Sequence, residues 1–222
     1  MTLLRLSLRQ YRRGWKSGEY TVMAAALALA LAAVSAVGFF TARVQTAVTE
    51  QAGESLAADI LLQSGEPLPP ELARSAAAAG AATSRVMDFP TVLLSGDATQ
   101  LVDVHAVTAG YPLRGRVQLS DLPFGPARYA AGIPAPGTAW VDPRALGTLK
   151  LQVGDTVSLG SLRLRVAAAL VYLPDGGFGF SALAPKVVLN QADIPASGLV
   201  NANSRVDYKL LVAGAPDVVD GL

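Results

Sequence analysis

One uninterrupted apolar segment constrains this chain more than any other feature. It covers residues 22–40, reads VMAAALALALAAVSAVGFF, and contains neither a charged residue nor a proline. As an α-helix, this segment would rise about 28 Å, which matches the hydrocarbon core of a bilayer. Because lipid cannot satisfy backbone polar groups, such a segment must be helical inside a membrane. The sequence therefore predicts a transmembrane helix, which we place with its flanks at residues 19–41.

Two other interpretations of this segment remain open. A cleaved signal peptide also combines a basic start with an apolar stretch, and the small residues 35–38 resemble a cleavage site. The apolar run is long for a signal peptide, whose apolar region covers about 7–15 residues. A buried helix of a soluble protein is the other alternative, although the remaining sequence offers little to surround it on all sides.

The residues before the span predict an amphipathic helix at 1–18. Apolar side chains recur on one helical face at Leu4, Leu8, Tyr11 and Trp15. A basic stripe follows the same spacing one residue later at Arg5, Arg9, Arg12 and Lys16. Such a helix lies in the membrane interface, with its cations toward anionic lipid headgroups. A simple positively charged flank of the span is the alternative, and a specialised coupling helix fits the same pattern.

The charge distribution predicts the orientation and limits the partners. The basic residues precede the span, so the N-terminus should be cytoplasmic and everything after Phe40 should lie outside the cytoplasm. The net charge is only +1, and no basic stripe follows the N-terminal segment, which argues against nucleic-acid binding. The chain contains no cysteine, which excludes disulfides, thiol catalysis and cysteine-bound metals.

Residues 42–57 predict a helical stalk that continues the span. Val44, Val48, Ala52 and Leu56 recur every four residues, and no proline interrupts the sequence from residue 22 to 56. This narrow apolar stripe needs a partner, either another helix or the base of an external domain. We expect the stalk to be joined rigidly to the span and loosely to the domain.

Residues 58–222 predict an external α+β domain. The patterns place strands at 59–63, 84–94, 100–108, 138–141, 151–160, 162–170, 186–190 and 205–212. Helices are predicted at 67–79 and 143–149, and a loop-rich connection at 111–136 contains many glycines and prolines. Residues 216–222 resemble the first turn of a further helix, so we expect the chain to be truncated at its C-terminus.

Sequence motifs of catalysis are absent. The chain has no P-loop, no G-x-S-x-G and no H-E-x-x-H motif, and we predict no catalytic, cofactor-binding or metal-binding residue. The single histidine, His105, lies in a strand pattern with Asp103 on the same face, and we interpret it as structural. Its replacement by glutamine should cost at most modest stability. Asp175 precedes two glycines and predicts a turn rather than a calcium loop.

Short motifs, in a fixed order behind the N-terminal span, resemble the FtsX/MacB-like ABC transporter permeases. The nearest subgroup is the YbbP-like permeases. The matching segments are LLRLSLRQYRRG at 3–14, SLAADILLQ at 55–63, WVDPRAL at 140–146, VGDTVSLG at 153–160, LPDGG at 173–177 and APKVVLN at 184–190.

The resemblance implies a two-lobed periplasmic domain similar to the MacB-type periplasmic core. A porter-like β-α-β lobe would use residues 58–110 and about 186–215, with a small β-rich lobe inserted at about 111–185. The resemblance also implies mechanotransmission, in which a cytoplasmic ABC ATPase dimerises and stalk helices carry the motion outward. Lipids or other hydrophobic compounds are the implied substrates, and an external lysophospholipase or thioesterase is an implied partner.

Two further function classes stay open beside the permease fragment. One is a freestanding membrane-anchored binding or scaffold module, and the other is a single-span envelope enzyme. The enzyme is the weakest of the three, because no nucleophile, base and orienting group can be assembled from the sequence. A reading frame that continues into further apolar spans would separate the permease from the anchored module.

Overall fold

The computed structural model describes residues 19–176, 184–201, 204–219 and 221. The chain divides into two compact units, residues 1–50 and residues 51–222. The predicted amphipathic helix at residues 1–18 lies outside the described residues, and its membrane-interface role stays a prediction.

A single long helix, α1, covers Glu19–Leu56. It contains the predicted span and continues without interruption through the predicted stalk, as expected for a segment without proline. The helix ends where Ala57 adopts a φ of 55°, a left-handed conformation that an α-helix cannot continue through. The predicted helical continuity from residue 22 to residue 56 is therefore confirmed.

In its described residues, the second unit combines ten strands with short helices. The strands are β1 Ile60–Ser64, β2 Ala82–Ser95, β3 Ala98–Val107, β4 Gln118–Ser120, β5 Arg128–Tyr129, β6 Thr138–Val141, β7 Thr156–Leu159, β8 Leu162–Tyr172, β9 Lys186–Asn190 and β10 Asp207–Ala213. The helices after α1 are α2 Pro70–Ala78, α3 Pro143–Leu149, α4 Ile194–Ser197 and α5 Pro216–Val219, with a 3-10 turn at Gln191–Asp193.

The strands form one mixed sheet that closes on itself. Its order is β1-β10-β2-β3-β9-β6-β8-β4-β5, and β7 pairs with both β2 and β8. Six strands, β2, β3, β9, β6, β8 and β7, therefore make a closed ring. The pairs β3–β9 and β6–β8 are parallel, whereas the other pairs are antiparallel.

Alternation along the strands gives the ring an apolar interior. On β2 and β3, Phe89 and Leu93 share one face with Val102 and Val104, and all four are buried in the largest hydrophobic cluster. Residues of the opposite face, such as Val86 and Val107 on the same strands, belong to a second cluster. The period-two pattern of the sequence thus separates two cores on the two faces of one sheet.

The local sequence signals explain the elements that were predicted with correct bounds. Strand 138–141, helix 143–149 and strand 186–190 are confirmed at both ends. Pro143 occupies the first helical turn of α3, and the Asp142 carboxylate accepts a hydrogen bond from the backbone N–H of Arg144 at 2.8 Å. A proline at this position and an aspartate cap define the start of a helix.

Helix 67–79 and the strands predicted at 59–63, 84–94, 100–108, 162–170 and 205–212 are present with ends shifted by up to three residues. Two other predicted segments differ in the type of structure. Residues 151–155 are not a strand, because Gly154 adopts a φ of 106° and the backbone N–H of Gln152 bonds to the Asp155 carboxylate, which makes a turn before β7. The predicted loop at 111–136 contains β4 and β5. These strands form because β8 extends to Tyr172, two residues beyond its predicted end, and pairs there with Gln118.

The division of the domain into two lobes stays a prediction. Strands from both predicted lobes belong to the same sheet, since β9 pairs with β3 on one side and with β6 on the other. The largest hydrophobic cluster likewise contains residues of both regions, such as Val104 and Val166. The structure therefore supports a mixed α/β domain behind an N-terminal apolar helix.

Candidate functional site: a membrane helix and a buried charge network

The apolar part of α1 has the properties of a membrane span. Residues 21–44 have a mean hydropathy of 2.3, and their side chains are not buried by the protein. Large apolar side chains such as Leu27 and Phe39 are 72% and 75% exposed. A helix with apolar side chains on every face is stable in lipid rather than in water. The composition and exposure of this helix are those expected of a membrane protein.

The predicted stalk residues lie on the C-terminal part of α1. Val44 and Leu56 are 43% and 38% exposed. Val48 and Ala52 belong to the same helix, at the predicted four-residue spacing. Their function as a lever stays a prediction.

Residues directly after α1 are fixed to the sheet of the second unit. The carbonyl of Ala57, a fully buried residue, accepts hydrogen bonds from the backbone N–H groups of Leu113 and Arg114 at 3.0 and 2.9 Å. Asp59 binds Arg114 through both carboxylate oxygens at 2.8 and 2.6 Å, and it accepts the N–H of Gly214. Residues 57 and 59 are thus bonded to the domain, and local sequence did not reveal these partners. The loose connection between stalk and domain stays a prediction.

His105 and Asp88 form the centre of a buried charge network on the outer face of the ring. They lie opposite each other on β3 and β2, and Nδ1 of His105 is 2.5 Å from Oδ1 of Asp88. The other oxygen of Asp88 lies 2.5 Å from Nζ of Lys209 on β10. His105 is fully buried, and the side chains of Asp88 and Lys209 are 11% and 16% exposed.

A second carboxylate approaches His105 from the turn after β8. Oδ1 of Asp175 lies 3.5 Å from Nε2 of His105, and it also accepts the hydroxyl proton of Tyr111. The ring of Tyr111 meets the imidazole edge-on, at 5.2 Å between centroids. The predicted turn at residue 175 is present, because the N–H of Gly176 bonds to the carbonyl of Leu173 at 3.2 Å. Its aspartate has the additional role of docking the turn onto the sheet.

An ion pair next to His105 completes the network. Nζ of Lys186 on β9 lies 2.6 Å from Oδ2 of Asp103, and the two residues are register partners on neighbouring parallel strands. Asp103 shares the face of His105, as predicted, but its side chain binds the lysine rather than the histidine. We refer to Asp88, Asp103, His105, Tyr111, Asp175, Lys186 and Lys209 together as the charge network.

Burial and the charges of the network shift the pKa values of His105, Asp88 and Tyr111. Burial favours the neutral imidazole, but the Asp175 and Asp88 carboxylates outweigh burial and raise the pKa of His105. Burial also opposes ionisation of Asp88, yet the charges of His105 and Lys209 hold the pKa of Asp88 well below its ordinary value. Burial and then the Asp175 charge raise the pKa of Tyr111. The network contains three carboxylates and two lysines, and a protonated His105 adds the third positive charge. This balance favours the imidazolium.

The arrangement is suited to holding the domain together. His105 has no exposed surface through which a substrate could reach it. In the ranges that the structure describes, no set of three His, Asp or Glu side chains converges as a metal site would. The network instead joins β2, β3, β9, β10 and the turn after β8 by charge-assisted hydrogen bonds. The structural interpretation of His105 stays a prediction, but the geometry agrees with it.

Sequence reasoning missed most of the network. Asp88, Lys186 and Lys209 each interrupt an otherwise apolar strand, and a charge at a core-facing position was the signal that could have found them. Which charges meet could not be predicted from the sequence, since the partners lie between 17 residues (Asp88 and His105) and 121 residues (Asp88 and Lys209) apart.

The comparison with known proteins finds an ABC transporter permease, which fits a chain with one N-terminal apolar helix. No protein-family model matches the chain. A curated relative, the uncharacterized ABC transporter permease YbbP of Escherichia coli (strain K12), is 32% identical over 213 residues, which is 96% of this chain and 26% of the relative. The aligned region covers nearly the whole chain, whereas the chain spans about a quarter of the length of this relative. By this relationship, the chain belongs with the YbbP-like ABC transporter permeases.

Proposed function

We propose that this chain is the N-terminal part of a permease subunit that works by mechanotransmission in a bacterial inner membrane. The observation that carries the proposal is the single helix α1, which runs from the apolar span through the stalk to Leu56 without a break. In this mechanism a cytoplasmic ATPase changes conformation, and the helix carries the displacement to the external domain. The permease itself performs no chemistry on its substrate.

The length of the stalk suits a lever. Beyond the apolar segment that ends at Val44, α1 continues for twelve residues, which rise about 18 Å. A helix transmits displacement along its axis because every turn is hydrogen-bonded to the next. The backbone and ion-pair contacts of Ala57 and Asp59 provide the attachment on the domain side.

The domain beyond the stalk is built to move as one body. Its ring of six strands has a continuous apolar core, and the charge network cross-links three of these strands, β2, β3 and β9, to β10 and to the turn after β8. A lever is effective only if the body it moves does not deform, and a closed sheet with buried ion pairs resists deformation.

The orientation follows from the charges around the span. Arg5, Arg9, Arg12, Arg13 and Lys16 precede it, which favours a cytoplasmic N-terminus and a periplasmic domain. The same segment would lie on the inner leaflet and contact both lipids and the ATPase.

The substrate class and partners rest on the family resemblance. We infer that the transporter acts on lipids or other hydrophobic envelope compounds, with a cytoplasmic ABC ATPase and, outside, a lysophospholipase- or thioesterase-type partner. A freestanding anchored module is the second candidate, favoured by the compactness of residues 51–222 as a separate unit. Nearly the whole chain aligns with a quarter of a longer permease, which favours the permease subunit over the anchored module.

The orientation can be tested with single cysteines, because the chain has none of its own. Gly65 has open space around it, so Gly65→Cys should not disturb the fold. In intact cells with a permeabilised outer membrane, an impermeant maleimide should label Gly65→Cys at once and Ser7→Cys only after lysis. The reverse pattern would contradict the proposed topology and with it the direction of transmission.

A further inference from the structure

A surface depression of about 560 Å³ lies between residues 121–123 and the C-terminal end of α3. Its lining includes Leu122, Pro123, Gly147, Leu151 and Val153. Lys150, an exposed residue directly after α3, also lines it. We call this depression the α3 groove. Its volume falls in the range of about 300–1,000 Å³ that is common for small-molecule sites.

The lining residues 121–123 belong to a tight turn at residues 120–125, which carries exposed apolar side chains. The hydroxyl of buried Ser120 accepts the N–H of Leu122, and the N–H of Gly125 bonds to the Leu122 carbonyl at 3.0 Å. A Cβ on Gly125 would lie 2.7 Å from the Ser120 hydroxyl, so only glycine fits. Phe124 adopts a φ of 62° and is 83% exposed, and Leu122 is 65% exposed. Backbone strain that exposes apolar side chains is typical of binding surfaces.

The charges at the groove favour an anion. Asp121 is neutralised by Arg128, whose Nη2 lies 2.8 Å from its carboxylate. Lys150 makes no ion pair with any residue that the structure describes. The lining of the groove therefore combines a cation with apolar side chains. Such a surface is complementary to an amphiphile with a negatively charged head group.

We propose that the α3 groove binds a single-chain amphiphile with an anionic head, with the alkyl chain against Leu122, Leu151 and Val153 and the head near Lys150. A fatty acid and a lysophospholipid share this chemistry. The proposal rests on the proposed function, because it gives the hydrophobic compound a site on the external domain. It requires no covalent step.

Gly147 allows the groove to be filled without damage to the fold. Nothing lies within 4 Å of a Cβ built on this residue, and leucine is a better helix former than glycine. Gly147→Leu should therefore block the groove in a folded protein. Gly65→Leu is the matched control, because Gly65 also has open space around it and lies elsewhere on the domain.

The test is photolabelling of the full chain in proteoliposomes with palmitic acid that carries a diazirine on its alkyl chain, followed by mass-spectrometric mapping. Wild type and Gly65→Leu should be labelled at residues 121–123 and 150–153, and Gly147→Leu about tenfold less. Labelling of residues 22–40 by the same lipid is the internal standard. Lys150→Gln should lower labelling by the acid but not by the corresponding fatty alcohol.

Unlabelled palmitate and lysophosphatidylglycerol then compete with the probe, and the stronger competitor identifies the source of the head group. Labelling confined to the span, equal labelling of Gly147→Leu and Gly65→Leu, or displacement by neither competitor would overturn the proposal. These outcomes would leave the topology and coupling of the permease untouched, since those are measured without the probe.

Discussion

Nδ1 of His105 lies 2.5 Å from Oδ1 of Asp88, and the two residues stand opposite each other on β3 and β2. The imidazole is fully enclosed, with the carboxylate of Asp175 on its other side. One histidine thus connects the central strands of the ring to the turn that follows β8. The stability of the domain should depend on this connection.

Replacement of His105 by glutamine should destabilise the domain by about 3 kcal/mol, because it leaves two buried carboxylates without their common partner. This exceeds the modest cost that the sequence predicts. Urea unfolding in detergent would measure the change through Trp140, a buried residue, in a Trp15→Phe background. Arg74→Gln is the control, since the Arg74–Glu71 pair is exposed and should contribute less than about 1 kcal/mol. Equal midpoints for the two variants would contradict the structural role of His105.

The stability of the domain should depend on pH in a direction set by His105. Its pKa is raised above 6.5 in the folded state, so its contribution is complete below pH 6.5 and is lost as the pH rises through the folded value. The groups that face it are Asp88, Asp175, Tyr111 and Lys186. On the acid side, Asp88 contributes above its unfolded pKa of 3.8, and this contribution is lost as the pH falls toward its lowered folded value.

Unfolding midpoints of wild type and His105→Gln, measured from pH 5 to 10, would test this prediction. The difference between the two proteins should be largest at the acid end of this range and should shrink at alkaline pH. A constant difference would show that His105 does not titrate in the folded domain.

Tyr111→Phe should destabilise the domain by about 1–3 kcal/mol, because the Asp175 carboxylate would lose its hydroxyl donor inside the protein. Tyr129→Phe is the matched control. Tyr129 is 58% exposed, and its substitution should change the free energy of unfolding by less than about 0.5 kcal/mol. Thermal unfolding of both variants provides the comparison, and an unchanged Tyr111→Phe protein would contradict the role of the hydrogen bond.

Reversal of Arg5, Arg9, Arg12 and Lys16 to glutamate should weaken binding of the N-terminal segment to anionic vesicles by about 1 kcal/mol per basic residue. The apolar face with Leu4, Leu8, Tyr11 and Trp15 is unchanged in this variant. Trp15 fluorescence of a peptide covering residues 1–18 would report the binding. Unchanged binding would contradict the interfacial helix.

The local elements of this domain could be predicted because their signals are local. Asp142 and Pro143 define a helix start, Gly96 permits the left-handed turn between β2 and β3, and residues 22–40 are apolar on every face. The closure of the sheet could not be predicted, because β7 pairs with β2 across more than 60 residues. The residues adjacent to β7 in the sequence do not indicate which strand it pairs with. The charge network was missed for the same reason. The sequence around Asp175 predicts only a turn. The contact with His105, 70 residues away, is formed by the fold of the chain.

The central claim is that α1 transmits motion, and Ala47→Pro tests it most directly. Proline inside a helix removes a backbone donor and clashes with the preceding turn, at a cost of about 3 kcal/mol. Ala47 lies in α1 before the anchored residues 57–59, so the domain should fold nearly as in the wild type. Ala47→Leu, which preserves the helix, is the control.

The measurement compares ATP hydrolysis with substrate release by the complete permease and its ATPase in proteoliposomes. We expect Ala47→Leu to release substrate in proportion to hydrolysis, as the wild type does, and Ala47→Pro to hydrolyse ATP without matching release. If release by Ala47→Pro still follows hydrolysis as in the wild type, the stalk is only a tether and mechanotransmission through α1 is contradicted.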